Sequence, residues 1–253
     1  MLLRGGWAAL NIFLATIVVA TPTMLAGLFR VRWPRFYDWG ARGWARWILR
    51  GSGTPVQLVG MENVQRDSPL IFVSNHHSWY DVFALAAVVP RRFRFVAKKE
   101  LERLPLFGRA WKAAGHISVD RSNRVSAIQS LDEAGRLIRE DGGSVILFAE
   151  GTRSRDGKLL PFKKGAFMLA LHTGIDIVPT AVCWTREILP KGGWRIRPGP
   201  IMVRFGEPVR TADFAVAERD ALMKEVRQRI EDLLAEAPPA PQLVAQLPQA
   251  DAP

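Results

Sequence analysis

The chain has 253 residues, of which 48% are hydrophobic and 23% charged, with a formal net charge of +11. That length allows one large domain or two small ones with a substantial core, and the apolar fraction excludes a disordered chain. A single cysteine, Cys183, excludes an internal disulfide framework and fits a reducing compartment, while the basic balance favours an anionic surface or substrate.

No charged residue occurs between Arg4 and Arg30. Trp7 to Phe29 is long enough to cross a hydrocarbon core, which takes about 20 apolar residues. Asn11, Thr16, Thr21, Pro22 and Thr23 interrupt the run and leave a kinked or re-entrant segment open beside a spanning one. Val18-Val19-Ala20 could pass for a signal-peptide cleavage site, but the apolar run continues past it. From Arg30 to Arg50 the arginines at 30, 32, 35, 42, 46 and 50 face one acid, Asp38, and are interleaved with Trp33, Phe36, Trp39, Trp44 and Trp47. Tryptophan suits the headgroup level and arginine can bind lipid phosphates. Residues 1–50 are therefore expected to bind membrane lipids as an anchor. The domain that follows is expected on the cytoplasmic face of an inner or cytoplasmic membrane. A basic helix packing its Trp face on the domain is the other reading. Arginine with aromatics can also suit single-stranded nucleic acid, but the apolar anchor argues against a nucleic-acid partner.

Gly51-Ser52-Gly53 is a break, and the globular domain is placed at 51–236. Its elements alternate. Strands are expected at Val56–Val59, Leu70–Val73, Phe93–Ala97, Ile117–Val119, Val145–Phe148, Ile175–Val182, Trp194–Arg197 and Met202–Phe205. Helices are expected at Trp79–Val88, after Pro105, from Asn123 to Glu140, at Ala166–His172 before Gly174, and from Ala215 to Ala235. This order predicts an α/β fold, a layered mixed or largely parallel sheet flanked by helices, with the N-terminal membrane-anchoring helical segment in front. Residues 237–253, rich in Pro, Ala and Gln, read as a disordered tail.

Chemistry-bearing residues gather where strands end. Ser74 to Asp81 joins an apolar strand to a helix, a junction that exposes a side chain while fixing its backbone. His76 can take a proton near neutral pH, and Asp81 can orient it and stabilise the imidazolium. Ser78 and Asp81 also match a capping box, and the two readings are compatible. The loop Glu150-Gly151-Thr152-Arg153 follows another buried strand: Gly151 permits close backbone approach, Thr152 offers a hydroxyl and Arg153 a forked donor for phosphate. Gly115 to Arg121 puts a further arginine at a strand end, and Lys98-Lys99 and Lys163-Lys164 add positive charge. Val178-Pro179-Thr180 either walls a groove or marks a strand edge or start. No Gly-x-Ser-x-Gly elbow is present, Cys183 has no obvious base, and no spacing suggests a metal site.

These stretches, in this order, resemble the blocks of the 1-acylglycerol-3-phosphate (lysophosphatidate) acyltransferases, the PlsC-type glycerolipid acyltransferases. Asn75 to Asp81 is similar to the family's His-four-residues-Asp block, and Gly115 to Arg121 to its Gly-five-residues-Arg block. Glu150 to Arg153 is similar to its Glu-Gly-Thr-Arg block, and Val178-Pro179-Thr180 to its proline-centred block. The resemblance covers roughly residues 50 to 210. Ala149 stands where proline is common, and Ser118 where an aromatic is common. The resemblance implies transfer of a fatty acyl group from acyl-CoA or acyl-carrier protein, as co-substrate, to the free hydroxyl of lysophosphatidate, giving phosphatidate, with no bound cofactor or metal. It implies that His76 is the base and Asp81 its partner. Arg153, with Arg121 and Lys98, would hold the acceptor's phosphate, and Glu150, Gly151 and Thr152 would shape that pocket. The same chemistry on glycerol 3-phosphate or another lysolipid is the nearest alternative. A membrane-surface binding protein without turnover is the alternative of another class.

Overall fold

The computed structural model of the chain describes residues 2–31, 33–64, 68–120, 130, 133–136, 138, 140 and 142–240. Two helices, α1 (Leu2–Leu28) and α2 (Pro34–Gly51), precede the sheet. The elements β1 (Val56–Val59), β2 (Ile71–Ser74), α3 (Trp79–Val88), β3 (Phe93–Lys98), α4 (Phe107–Ala113) and β4 (Ile117–Val119) follow. Then come β5 (Ser144–Phe148), α5 (Gly165–Thr173), β6 (Ile177–Cys183), α6 (Thr185–Ile188), β7 (Ile201–Phe205) and α7 (Arg219–Ala235). The predicted helix from Asn123 to Glu140 falls mostly outside the described residues, as does Arg121. Within it, Ser130 donates to the Ser118 carbonyl at 3.0 Å, and Ala134 and Ile138 are buried. Most of the expected tail, from 241 on, also lies outside the described residues.

The strands form one seven-stranded sheet in the order β1-β7-β6-β2-β5-β3-β4. Neighbours run parallel except β6 and β7, so the sheet is mixed and largely parallel, as expected. The central strands are buried on both faces, which is why they read as continuous apolar runs instead of alternating. On β2, Phe72 points to the face covered by α2 and α3, where it packs with Ile48, Tyr80 and Phe83. Ile71 and Val73 point to the other face, with Phe167 of α5 and Leu222, Val226 and Ile230 of α7.

Two expectations fail. Trp194–Arg197 is not a strand: Trp194, Arg195 and Arg197 are exposed and only Ile196 is buried, with its backbone against Gly5 of α1. The alternation there marks one anchor point, not a ladder. Pro179 marks neither an edge nor a strand start, because β6 is an interior strand buried at every position. Its carbonyl accepts from Gly206 N at 2.8 Å, so its missing donor faces the side where β7 has just ended, and the β2–β6 pairing loses nothing.

The N-terminal helices are built into the domain. α1 is continuous through Pro22. Three of the polar residues that interrupt its sequence face inward: Asn11 and Thr23 are buried, and Thr16 accepts from Trp44 Nε1 at 3.1 Å. Trp7, Leu10, Phe13, Leu14, Ile17 and Val18 remain exposed along the other side. In α2, Asp38 is buried and pairs with Arg94 of β3 at 2.8 Å and Arg92 at 3.3 Å. Arg42 donates to the Val89 and Arg91 carbonyls, and Arg46 to Ala87 O at 3.3 Å, so both cap the C-terminal end of α3. Those two arginines thus have partners within the domain. Trp44 packs edge-on against Phe83, while Trp33, Trp39 and Trp47 face outward. The packing of α2 on the domain is thus observed on one face, and its other face leaves three tryptophans exposed.

Candidate active site

The site lies where β2 and β5 end side by side, paired through Ser74 and Phe148. Asn75 prolongs β2 by imitating a backbone unit: its amide donates to Val182 O at 2.9 Å and its oxygen accepts Val182 N at 2.8 Å. The next residue is thereby fixed at the rim of the sheet. His76 donates its backbone N–H to Glu150 Oε1 at 2.6 Å, and its carbonyl accepts Ser154 N at 2.8 Å. The loop after β5 therefore grips the His76 residue at both ends of its backbone.

Asp81 is fully buried in the first turn of α3. Its Oδ2 lies 2.8 Å from His76 Nδ1 and also accepts the N–H groups of His77 and Ser78, at 2.7 and 2.8 Å. Its Oδ1 accepts the Thr185 hydroxyl. Ser78 caps α3, accepting Tyr80 N, so the capping box and the His–Asp pair coexist on one carboxylate. The His76 ring stacks on Phe148, with centroids 3.9 Å apart and planes 15° apart. With Nδ1 bound to Asp81, Nε2 is the nitrogen left for the cavity that His76 lines.

That cavity has a volume of about 630 Å³. One wall is apolar, built from Trp44, Phe95, Phe107 and Trp111. The lining also includes Gly151, Thr152, Arg153, Lys191 and Trp79, with Lys98 of β3. Gly151 has φ +70, a left-handed backbone that an L side chain would strain. The Arg153 guanidinium lies 5.2 Å from the ring of Trp79. Among the described residues, no carboxylate forms an ion pair with Arg153, Lys98 or Lys191. A smaller apolar cavity shares Trp44, Phe95, Phe107 and Trp111 and continues towards Val19 and Ala20 of α1.

The structure brings His76, Asp81, Gly151, Thr152, Arg153 and Lys98 into or directly behind one cavity. Glu150 is 1% exposed and is not among the residues that line the cavity. Its second oxygen accepts Leu160 N at 2.9 Å, so it braces the loop from behind. Burial pushes its carboxyl up to about 7, against the pull of these two N–H bonds. Arg121 lies outside the described residues. The proline-centred block contributes no residue to the cavity lining. His116 is half-buried, its Nδ1 accepting Phe95 N at 3.2 Å, and desolvation lowers its imidazole to about 3, so it is neutral. Burial likewise lowers His77 and raises the Cys183 thiol to about 11, which leaves that thiol unsuited to nucleophilic attack. Sequence reasoning missed Thr185, Trp79 and Lys191. Thr185 follows the C-terminal end of β6, the same sheet edge as His76 and Arg153, and that shared position was the available signal.

The acyltransferase family model matches residues 55–183. The chain is 41% identical over 197 residues to the 1-acyl-sn-glycerol-3-phosphate acyltransferase of Limnanthes douglasii, covering 78% of this chain and 68% of that one. It is 37% identical to the enzyme of the same name from Cocos nucifera, over 73% of this chain and 58% of the other. Its fold is similar to the crystal structure of the 1-acyl-sn-glycerophosphate (LPA) acyltransferase, PlsC, from Thermotoga maritima. The TM-score is 0.75 at 28% identity, covering 91% of this chain and 96% of that one.

Proposed function

This chain belongs to the acyltransferase family, among its 1-acyl-sn-glycerol-3-phosphate acyltransferases, and from that premise we propose that it acylates the free hydroxyl of lysophosphatidate at the surface of a membrane. One observation carries the reading: His76, oriented by Asp81, shares a cavity with an arginine that, among the described residues, forms no ion pair with a carboxylate. His76 Nε2 takes the proton from the acceptor hydroxyl as its oxygen bonds to the thioester carbonyl carbon. The tetrahedral intermediate collapses, the carbon–sulfur bond breaks, and the thiolate takes the proton back from the imidazolium. Asp81 holds the ring by Nδ1 and offsets its transient positive charge. Arg153 and Lys98 hold the phosphate, and the aromatic wall takes the acyl chain. The donor is acyl-CoA or acyl-carrier protein, a co-substrate and not a resident cofactor.

The exposed apolar side of α1 and the outward tryptophans of α2 support attachment to a cytoplasmic or inner membrane with the cavity on the cytoplasmic side. Residues 1–50 form the anchoring part and 51–236 the acyltransferase domain, with the two packed together. The test is thiol release from acyl-CoA by purified protein in lipid vesicles, run with lysophosphatidate, glycerol 3-phosphate and other lysolipids. Phosphatidate formation that requires His76 supports the reading. Thiol release independent of any acceptor, or turnover retained in His76→Ala, overturns it.

A further inference from the structure

We infer that Lys191 is a phosphate-binding residue of the acceptor site, a further cation beside Arg153; this rests on the acyl-transfer reading above. Lys191 sits in the turn Pro190–Gly193, closed by Gly193 N to Pro190 O at 3.0 Å. The segment that carries it is tied to the catalytic pair at two points. Thr185 donates to Asp81, and Ser78, the cap of α3, donates to Leu189 O at 2.7 Å. Lys191 is therefore presented by the same unit that buries Asp81, and its position relative to His76 is set by hydrogen bonds.

Its ammonium has three donors. Two are used, on Thr152 Oγ1 at 3.1 Å and on the Arg153 carbonyl at 2.8 Å. Both partners are neutral oxygens of the loop that carries the phosphate-binding arginine. The third donor remains, and the residue lines the cavity. Both cations line the same cavity, and among the described residues neither forms an ion pair with a carboxylate, so an anion bound there is attracted by both. A phosphate monoester, with two charges and three free oxygens, fits both. A neutral acceptor would leave both without an anionic partner. Lys191 thus favours phosphate-monoester acceptors over uncharged ones.

A purely structural role, tethering the loop through Thr152 and Arg153, is separable by experiment. Lys191→Gln and Lys191→Arg are compared with wild-type protein in vesicles for KM and kcat of both substrates. Binding of inorganic phosphate and of lysophosphatidate is read separately from tryptophan fluorescence, since Trp79 lies under Arg153. Losing a charged hydrogen bond should raise the lysophosphatidate KM of Lys191→Gln by about 10- to 100-fold and weaken phosphate binding alike. The donor KM should stay within about threefold, and Lys191→Arg should recover most of the loss. Equal rises in both KM values, or a fall in kcat with phosphate binding intact, would overturn the assignment. Lys191-dependent phosphate binding in a protein that does not acylate lysophosphatidate would instead overturn the acceptor reading and keep only the phosphate-binding part of this one.

Discussion

Glu150 accepts the backbone N–H of His76 at 2.6 Å while standing behind the cavity. The acid of the Glu-Gly-Thr-Arg stretch therefore holds His76 in place, and the arginine three residues on lines the cavity. One loop performs both tasks because Gly151, with its left-handed backbone, reverses the chain between them.

Replacing Glu150 by Ala should lower kcat with little change in acceptor KM, because the ring of His76 loses its backbone brace. Two partly buried N–H groups, of His76 and Leu160, lose their acceptor. The expected destabilisation is about 2 to 6 kcal/mol, from about 1 to 3 for each orphaned group. Thermal unfolding and steady-state kinetics on the same preparation check both parts.

The same carboxyl predicts a pH dependence. Its folded value is raised from an ordinary 4.5 to about 7. The folded protein binds the extra proton between those values. The contribution to stability is therefore complete below the lower one and lost as pH rises through the upper one. Wild-type stability should fall between about pH 5 and 8, and Glu150→Gln, which cannot ionise, should flatten that slope. A denaturant midpoint measured across the range decides, and a wild-type slope of the opposite sign refutes the assignment.

His76→Ala should abolish turnover in a folded protein. Asp81→Asn should lower kcat by about 10²- to 10⁴-fold, since the imidazolium loses its counter-charge. Thr185→Val removes the hydroxyl from Asp81 Oδ1 and should lower kcat in the same direction by less. Binding of lysophosphatidate to all three variants should stay near wild type. Joint loss of binding would place these residues in the fold and not in the chemistry.

Arg153→Ala should raise KM for a phosphate-bearing acceptor by about 10- to 100-fold and leave the thioester KM nearly unmoved. Trp79→Leu, which removes the ring beneath the guanidinium, should act in the same direction and more weakly, by the smaller energy of a cation–π contact.

Deleting residues 1–50 should leave an insoluble domain, because Arg94 loses Asp38 and the C-terminal end of α3 loses Arg42 and Arg46. Phe13→Lys with Ile17→Lys, on the exposed side of α1, should reduce flotation with vesicles while thermal unfolding in detergent stays near wild type. A soluble, folded 51–253 fragment would refute the structural part of this prediction.

The strands were legible in the sequence because strands buried on both faces need unbroken apolar runs. The His–Asp pair was legible because both residues lie within one strand-to-helix turn. The Glu-Gly-Thr-Arg stretch could be seen as a site, but the direction of Glu150 could not, since facing the cavity or bracing it from behind uses the same residue at the same spacing. The amphipathic identity of residues 1–50 was written in their composition. Which arginines face the domain was not, because Arg42 and Arg46 take their partners from carbonyls at the end of α3. Lys191 and Thr185 stand more than a hundred residues after His76, and only the placing of β6 beside β2 brings them to it. Sequence fixes what a residue can donate or accept; the sheet order decides to whom.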